Sequence, residues 1–178
     1  MNPFRSVALA ALLFVSAPGL ALAHNGLTHD GCPTGQSFAA GDIAVTGAYT
    51  RAMLPNAQAA GGYLTIANSG ASSDTLTGAT SQAATIEIHN MTMEGDVMKM
   101  APVEGGLDIP AGGTVALAPM GYHLMFTQIG VPFKQGECVE LVLHFAGAGD
   151  LPIQLNIGGV AQDEPVMDHS MHEMSSAQ

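Results

Sequence analysis

The sequence has no tryptophan, 5% aromatic residues and only 4 Lys plus Arg among its 178 residues. Four cations cannot neutralise a run of phosphates, so a nucleic-acid-binding protein is excluded. The same shortage argues against docking on an anionic lipid surface. Charged residues of both signs make up 11% of the chain, and 15 Asp plus Glu bring the formal net charge to −11. That excess favours solubility and a partner with a basic face. There are 2 cysteines, and after residue 23 no stretch is long and apolar enough to span a bilayer. What is abundant is methionine, at 11, and histidine, at 7. Hydrophobic residues reach 47%, and the length suits one domain with a real core.

The first residues read as an address. Met1 to Ser6 carries Arg5, Val7 to Val15 is an unbroken apolar run, Pro18 interrupts it, and Ala21-Leu22-Ala23 is a small-x-small cleavage signature. This is the pattern of a secretory signal peptide over residues 1–23, too short to serve comfortably as a permanent span. The alternative is an N-terminal membrane anchor. Cleavage predicts an exported protein with no membrane insertion, and it removes Arg5 but no acid. In an oxidising compartment, Cys32 and Cys138 are most simply a disulfide. Such a bond would close a loop of roughly 100 residues and stabilise by about 4–5 kcal/mol on the chain-entropy account. The competing role for either sulfur is that of a thiolate metal ligand.

After a polar leader over residues 24–40, short strand-like runs follow one another: Ile43–Thr50, Gly62–Ala67, Thr75–Ala79, Thr85–Met91, Val97–Val103, Thr114–Leu117, Tyr122–Gln128, Val139–Phe145 and Pro152–Ile157. Turn chemistry separates them, as in Asn68-Ser69-Gly70, Pro110-Ala111-Gly112-Gly113 and Lys134-Gln135-Gly136. No segment sustains a 3.6-residue apolar period with caps. Many short strands at this spacing predict an all-β sandwich or barrel over residues 41–157. From Gly158 the chain turns polar and aperiodic, which predicts a disordered tail over residues 158–178.

The densest chemistry lies between His89 and Met100, a run containing Met91, Met93 and Met98 as well. With Glu94-Gly95 as a two-residue hairpin loop, Met91 would face Met98 and His89 would face Met100. Ile86 and Ile88 alternate with Glu87 and His89, so the isoleucines are expected in the core and His89 on the other face. Met91 and Met93 continue the parity of His89, where packing has no use for them. The pattern recurs at Tyr122–Thr127: Tyr122, Leu124 and Phe126 share one face, His123 and Met125 the other. Thioether sulfur is soft and neutral, with little affinity for hard cations; combined with imidazole it favours copper, copper(I) above all. Structural zinc sites use Cys, His or carboxylate, so two His with two Met point away from zinc. Against this stands methionine's ordinary use as a flexible core filler.

His89, Met100 eleven positions later, His123 and then Met125 resemble the H(M)X10M…HXM signature of the PCuAC family of periplasmic copper chaperones. Arg51-Ala52-Met53-Leu54-Pro55, Gly61-Gly62-Tyr63-Leu64-Thr65-Ile66, His89-Asn90-Met91-Thr92-Met93 and Gly121-Tyr122-His123-Leu124-Met125 are similar to that family too, over roughly Asp42 to Ile157. The resemblance implies a cupredoxin-like Greek-key β-sandwich in the periplasm, without a blue-copper site. It also implies copper(I) held by His89, Met100, His123 and Met125, with Met91, Met93 and Met98 flanking, and copper delivery during cytochrome c oxidase assembly alongside Sco-type proteins. Many relatives have Glu at the position of Asn90, which is not a ligand position.

Three further features stand outside that set. Met167, His169, Met171, His172 and Met174 crowd the polar C-terminus and suggest a second copper region accepting copper(II) or copper(I); the alternative is a solubilising tail. Cleavage after Ala23 would make His24 the first residue, with His29 close by, a copper(II) chelate of the kind used by oxidative enzymes, or merely a polar leader. His144 reads as an ordinary strand histidine. A non-enzymatic copper carrier therefore stands first, ahead of a blue-copper electron-transfer protein, an oxidative enzyme using His24 and a purely structural sandwich.

Overall fold

The computed structural model describes residues 26–28 and 31–161, and these form an all-β, cupredoxin-like Greek-key sandwich. The strands are β1 (Leu27–Thr28), β2 (Ser37–Ala40), β3 (Ile43–Arg51), β4 (Ala60–Asn68), β5 (Asp74–Thr80), β6 (Thr85–Glu94), β7 (Val97–Pro102), β8 (Leu107–Ile109), β9 (Thr114–Leu117), β10 (Tyr122–Thr127), β11 (Cys138–Phe145) and β12 (Gly149–Gly158). Hydrogen bonds run along β7-β6-β10-β4-β3 and continue through β12-β11-β5-β8, while β1 pairs with β11, β2 with β3, and β9 with β4. Only β3 and β12 pair in parallel among the described strands, at Tyr49 to Asn156 and Arg51 to Gly158.

Period-two alternation builds the core. Val45, Ile66, Leu76, Leu124, Phe126, Leu143 and Leu155 are fully buried, and Phe126 meets Phe133 edge-on with ring centroids 5.5 Å apart. Without tryptophan, the two halves close over aliphatic side chains and a few phenylalanines. Asp74 ties β5 to the β11–β12 turn by accepting from the backbone N–H groups of Gly147 and Ala148, and it also accepts from Thr75. Partial burial pushes its carboxyl up, but these three donors outweigh that and hold it below the ordinary aspartate value.

Three expectations change. The polar leader contributes strands: Leu27 is buried against β11, and β2 pairs residue by residue with β3. Its side chains are too small and too few to announce a strand, and pairing to an existing edge supplies what the pattern lacks. The short β8 was also unexpected; Gly105 and Gly106, both at positive φ, swing the chain so that Leu107 and Ile109 enter the core. The third change is the hairpin register. The loop is Gly95-Asp96, not Glu94-Gly95, so Met91 faces Met100, Met93 faces Met98, and His89 faces Pro102. The favoured hairpin turns need a positive φ at the first central position, which Gly95 supplies at 62° and a glutamate would resist. A shift of two residues preserves the face of every side chain.

Cys32 and Cys138 form the expected disulfide, with Cα atoms 5.1 Å apart and Cys138 fully buried on β11. Both sulfurs are thereby removed from metal ligation. No helix among the described residues is long and apolar enough to cross a membrane.

Candidate metal centre

The sheet β3-β4-β10-β6-β7 turns one face to the core; the opposite face carries the predicted donors. On β10, Leu124 and Phe126 point inward with no exposure, leaving His123 and Met125 on the outer side. On β6, Ile88 is buried and His89 takes the opposite parity. The β6–β10 register sets His89 directly opposite His123 and Glu87 opposite Met125. The two imidazole centroids lie 6.0 Å apart. Rings that close can share one ion bound at about 2.0–2.1 Å from a nitrogen of each.

Hydrogen bonds define which nitrogens remain. His123 donates from Nδ1 to the Gly121 carbonyl at 3.0 Å, which leaves the Nε2 lone pair for a ligand. His89 is held by its other nitrogen: Nε2 lies 3.0 Å from Glu87 Oε2. His89 Nδ1 is buried and has no hydrogen-bond partner among the described residues. A buried, unpartnered nitrogen is costly in a native fold and calls for an explanation. A metal ion is the group that would complete it, and the carboxylate–histidine pairing behind it is the usual outer support of a ligating imidazole. If the site takes the copper(I) expected from the sequence, replacing Glu87 with Ala should weaken that binding by roughly 10–100-fold, read by competition with a copper(I) chelator. Full affinity in that variant would mean the Glu87 bond does not orient the ring.

The thioethers surround the imidazole pair. Met125 follows His123 on the same face, and Met91 follows His89. A cavity of about 330 Å³ is lined by Met91, Met120, His123 and Met125, with Arg51 and Tyr63 among its other walls. Its floor is kept open by Gly61, paired with Met125; a Cβ there would lie 2.4 Å from the Tyr63 hydroxyl. Arg51 rests over the Tyr63 ring at 5.6 Å. Met100 is farther out: it sits on β7 across from Met91, 48% exposed, diagonal to His89 and within reach of a long side chain. Met93 and Met98 form the next rung towards the hairpin tip, where Met93 is well exposed and Lys99 pairs with Glu94.

His144 is on the other half of the sandwich, with Nδ1 2.7 Å from Asp150 and Nε2 2.9 Å from Thr80. Both its nitrogens are occupied, as befits a strand histidine. His24 and His29, and the tail residues Met167, His169, Met171, His172 and Met174, lie outside the described residues. Residue-level reading missed Met120 and Glu87 as parts of the site. Glu87 was visible only as a parity mate of His89, and Met120 only as an odd residue in Pro119-Met120-Gly121, where turn chemistry asks for glycine.

Fold and pocket together define a small β-sandwich whose outer sheet face presents imidazole and thioether donors beside one cavity. Comparison with known proteins places it more closely. The family described as "Putative lipoprotein LpqE-like" matches residues 43–157, and the chain belongs to that family, the one whose PCuAC signature it carries. The apo PCuAC domain of PmoF2 is 25% identical, with a TM-score of 0.61, covering 72% of this chain and 99% of that domain. The solution structure of CuI-DR1885 from Deinococcus radiodurans is 27% identical, with a TM-score of 0.51, covering 69% of this chain and 80% of that one. "Putative lipoprotein Lxx21020" of Leifsonia xyli subsp. xyli (strain CTCB07) is 30% identical over 106 residues, which is 56% of this chain and 64% of that relative's length.

Proposed function

We propose that the protein is a non-enzymatic copper chaperone that holds copper(I) through His89, His123, Met125 and Met100, with Met91, Met93 and Met98 flanking. The observation that carries this reading is His89 Nδ1, buried and without a hydrogen-bond partner among the described residues, beside a second imidazole whose Nδ1 is already engaged. Two neutral imidazoles and soft thioethers suit copper(I), leave the ion its own charge and allow release. The D. radiodurans relative is described with CuI, which supports the same cargo here. A blue-copper reading is disfavoured, because it needs a cysteine thiolate and both sulfurs are joined in the disulfide.

The carrier acts in the periplasm after removal of residues 1–23, and it passes copper to cytochrome c oxidase assembly, to the copper-site subunit and Sco-type proteins. Met167, His169, Met171, His172 and Met174 add a second region taking copper(II) or copper(I). Support comes from the path of the chain: β12 ends at Gly158, paired with Arg51, and Arg51 lines the cavity. Donors tethered to a domain that already holds copper act on it at high effective concentration.

Anaerobic copper(I) titration with X-ray absorption, on the full chain and on a chain ending at Gly159, tests both parts. One tight copper(I) with nitrogen and sulfur ligands is expected in each. The shorter chain should bind less copper in total, with the deficit largest for copper(II). Absence of tight copper(I), or a ligand set without sulfur, would refute the carrier reading; equal copper(II) capacity would remove the tail from it.

A further inference from the structure

Met120 was left without a role by its sequence context, and three independent observations give it one. It occupies the third position of the turn Ala118-Pro119-Met120-Gly121, closed by Gly121 N–H donating to the Ala118 carbonyl at 3.1 Å. Its φ is 71°, the left-handed value that the third residue of a type II turn requires. Glycine takes that conformation freely, whereas a residue with a Cβ resists it. The chain thus keeps a long side chain where backbone chemistry favours none. Strain of this kind tends to persist where function over-determines it.

The second observation is exposure. Met120 is 66% exposed, the highest value among the large hydrophobic residues described, so core packing does not explain the thioether. The third is position. Met120 lines the same cavity as His123, Met125 and Met91. The turn is also fastened to the site, because the Gly121 carbonyl accepts from both His123 Nδ1 at 3.0 Å and Met91 N–H at 3.2 Å. A change in the turn is therefore felt directly by one proposed ligand.

We infer that Met120 is an additional thioether donor at the mouth of the cavity, the first group to meet an arriving copper(I) and the last to release it. The inference rests on the carrier reading above. It requires no covalent or redox step: a soft, neutral sulfur exchanges for solvent or for a donor's ligand at a monovalent ion. An exposed, flexible thioether beside the buried His123 and the half-buried His89 is suited to such handover, because it can reach outward without disturbing the fixed pair.

Two variants of the full chain separate ligation from structure. Met120→Gly relieves the backbone, so the metal-free protein should melt at the same temperature or higher. It should nevertheless surrender copper(I) to a competing chelator roughly tenfold faster, the lower end of what loss of a supporting metal-site group produces. Met120→Leu keeps bulk and apolarity but lacks sulfur, and it should lose copper(I) equally fast. The Met120 methyl resonance should shift when one equivalent of copper(I) or silver(I) is added to the unsubstituted protein. Retention by the leucine variant at the unsubstituted rate would make Met120 a cover and overturn the inference. An unshifted methyl resonance would overturn it as well. Failure of the unsubstituted protein to take copper(I) at all would instead sink the carrier reading.

Discussion

His123→Leu should abolish tight copper(I) binding while leaving the sandwich folded. His123 is buried on the outer sheet face, not in the core, and its one described hydrogen bond is to the Gly121 carbonyl. That carbonyl keeps the Met91 N–H when the imidazole is gone, so no buried acceptor is orphaned and the stability loss should be about 1 kcal/mol. The copper effect is far larger. Removing a supporting residue behind a ligand already costs roughly 10–100-fold in affinity, and removing the ligand itself should exceed that range. Chelator competition reads the affinity, and chemical denaturation of the metal-free protein reads the stability. A His123→Leu protein that retains copper(I) would place the centre elsewhere.

The thioethers should behave unequally. Met125 lines the cavity beside His123, so Met125→Leu, which keeps nearly the same volume, should also release copper(I). Met100 stands directly across from Met91, which lines the cavity, and lies farther out itself, so Met91 can stand in for it. Met100→Leu alone should then cost less than Met125→Leu, and the double change of Met91 and Met100 should cost more than the sum of the singles. Such non-additivity is expected when two groups can serve one position. Additive losses would mean that Met91 and Met100 act separately.

These unequal roles show what was readable in the chain and what was not. Strand alternation alone assigned His89, His123 and Met125 to one face, because period two survives any register that keeps parity. The hairpin pairing failed for a local reason: it depended on which residue takes the positive φ, and Gly95 does so from the first loop position. The disulfide was legible because two cysteines in a chain that reads as exported admit a simple pairing. Strands β1 and β2 were not, since Leu27 and Phe38 gain their burial from β11 and β3 rather than from any pattern of their own. The Glu87–His89 bond and the Met120 turn depend on hydrogen-bond geometry and one dihedral angle, quantities a residue string does not carry.

Removing the Cys32–Cys138 bond should destabilise the protein strongly. The cysteines are 106 residues apart in a chain of 178, so the bond restricts more than half of the unfolded chain. On the chain-entropy account such a loop contributes about 4–5 kcal/mol, and losses of native disulfides usually fall at roughly 2–5 kcal/mol. In a domain of this size the melting temperature should fall on the order of 10 °C. Cys32→Ala, Cys138→Ala and the double variant should be destabilised to a similar degree, because the bond is lost once in each. Cys138 is the more sensitive position, since its side chain is fully buried on β11 and an alanine leaves a small void. Copper(I) binding at low temperature should survive in all three, because β11 contributes no residue to the cavity that holds His123 and Met125. An unchanged denaturation midpoint would show that the bond does not form in the protein as expressed. Loss of copper(I) affinity in a variant still folded would show instead that β11 transmits its position to the opposite half of the sandwich.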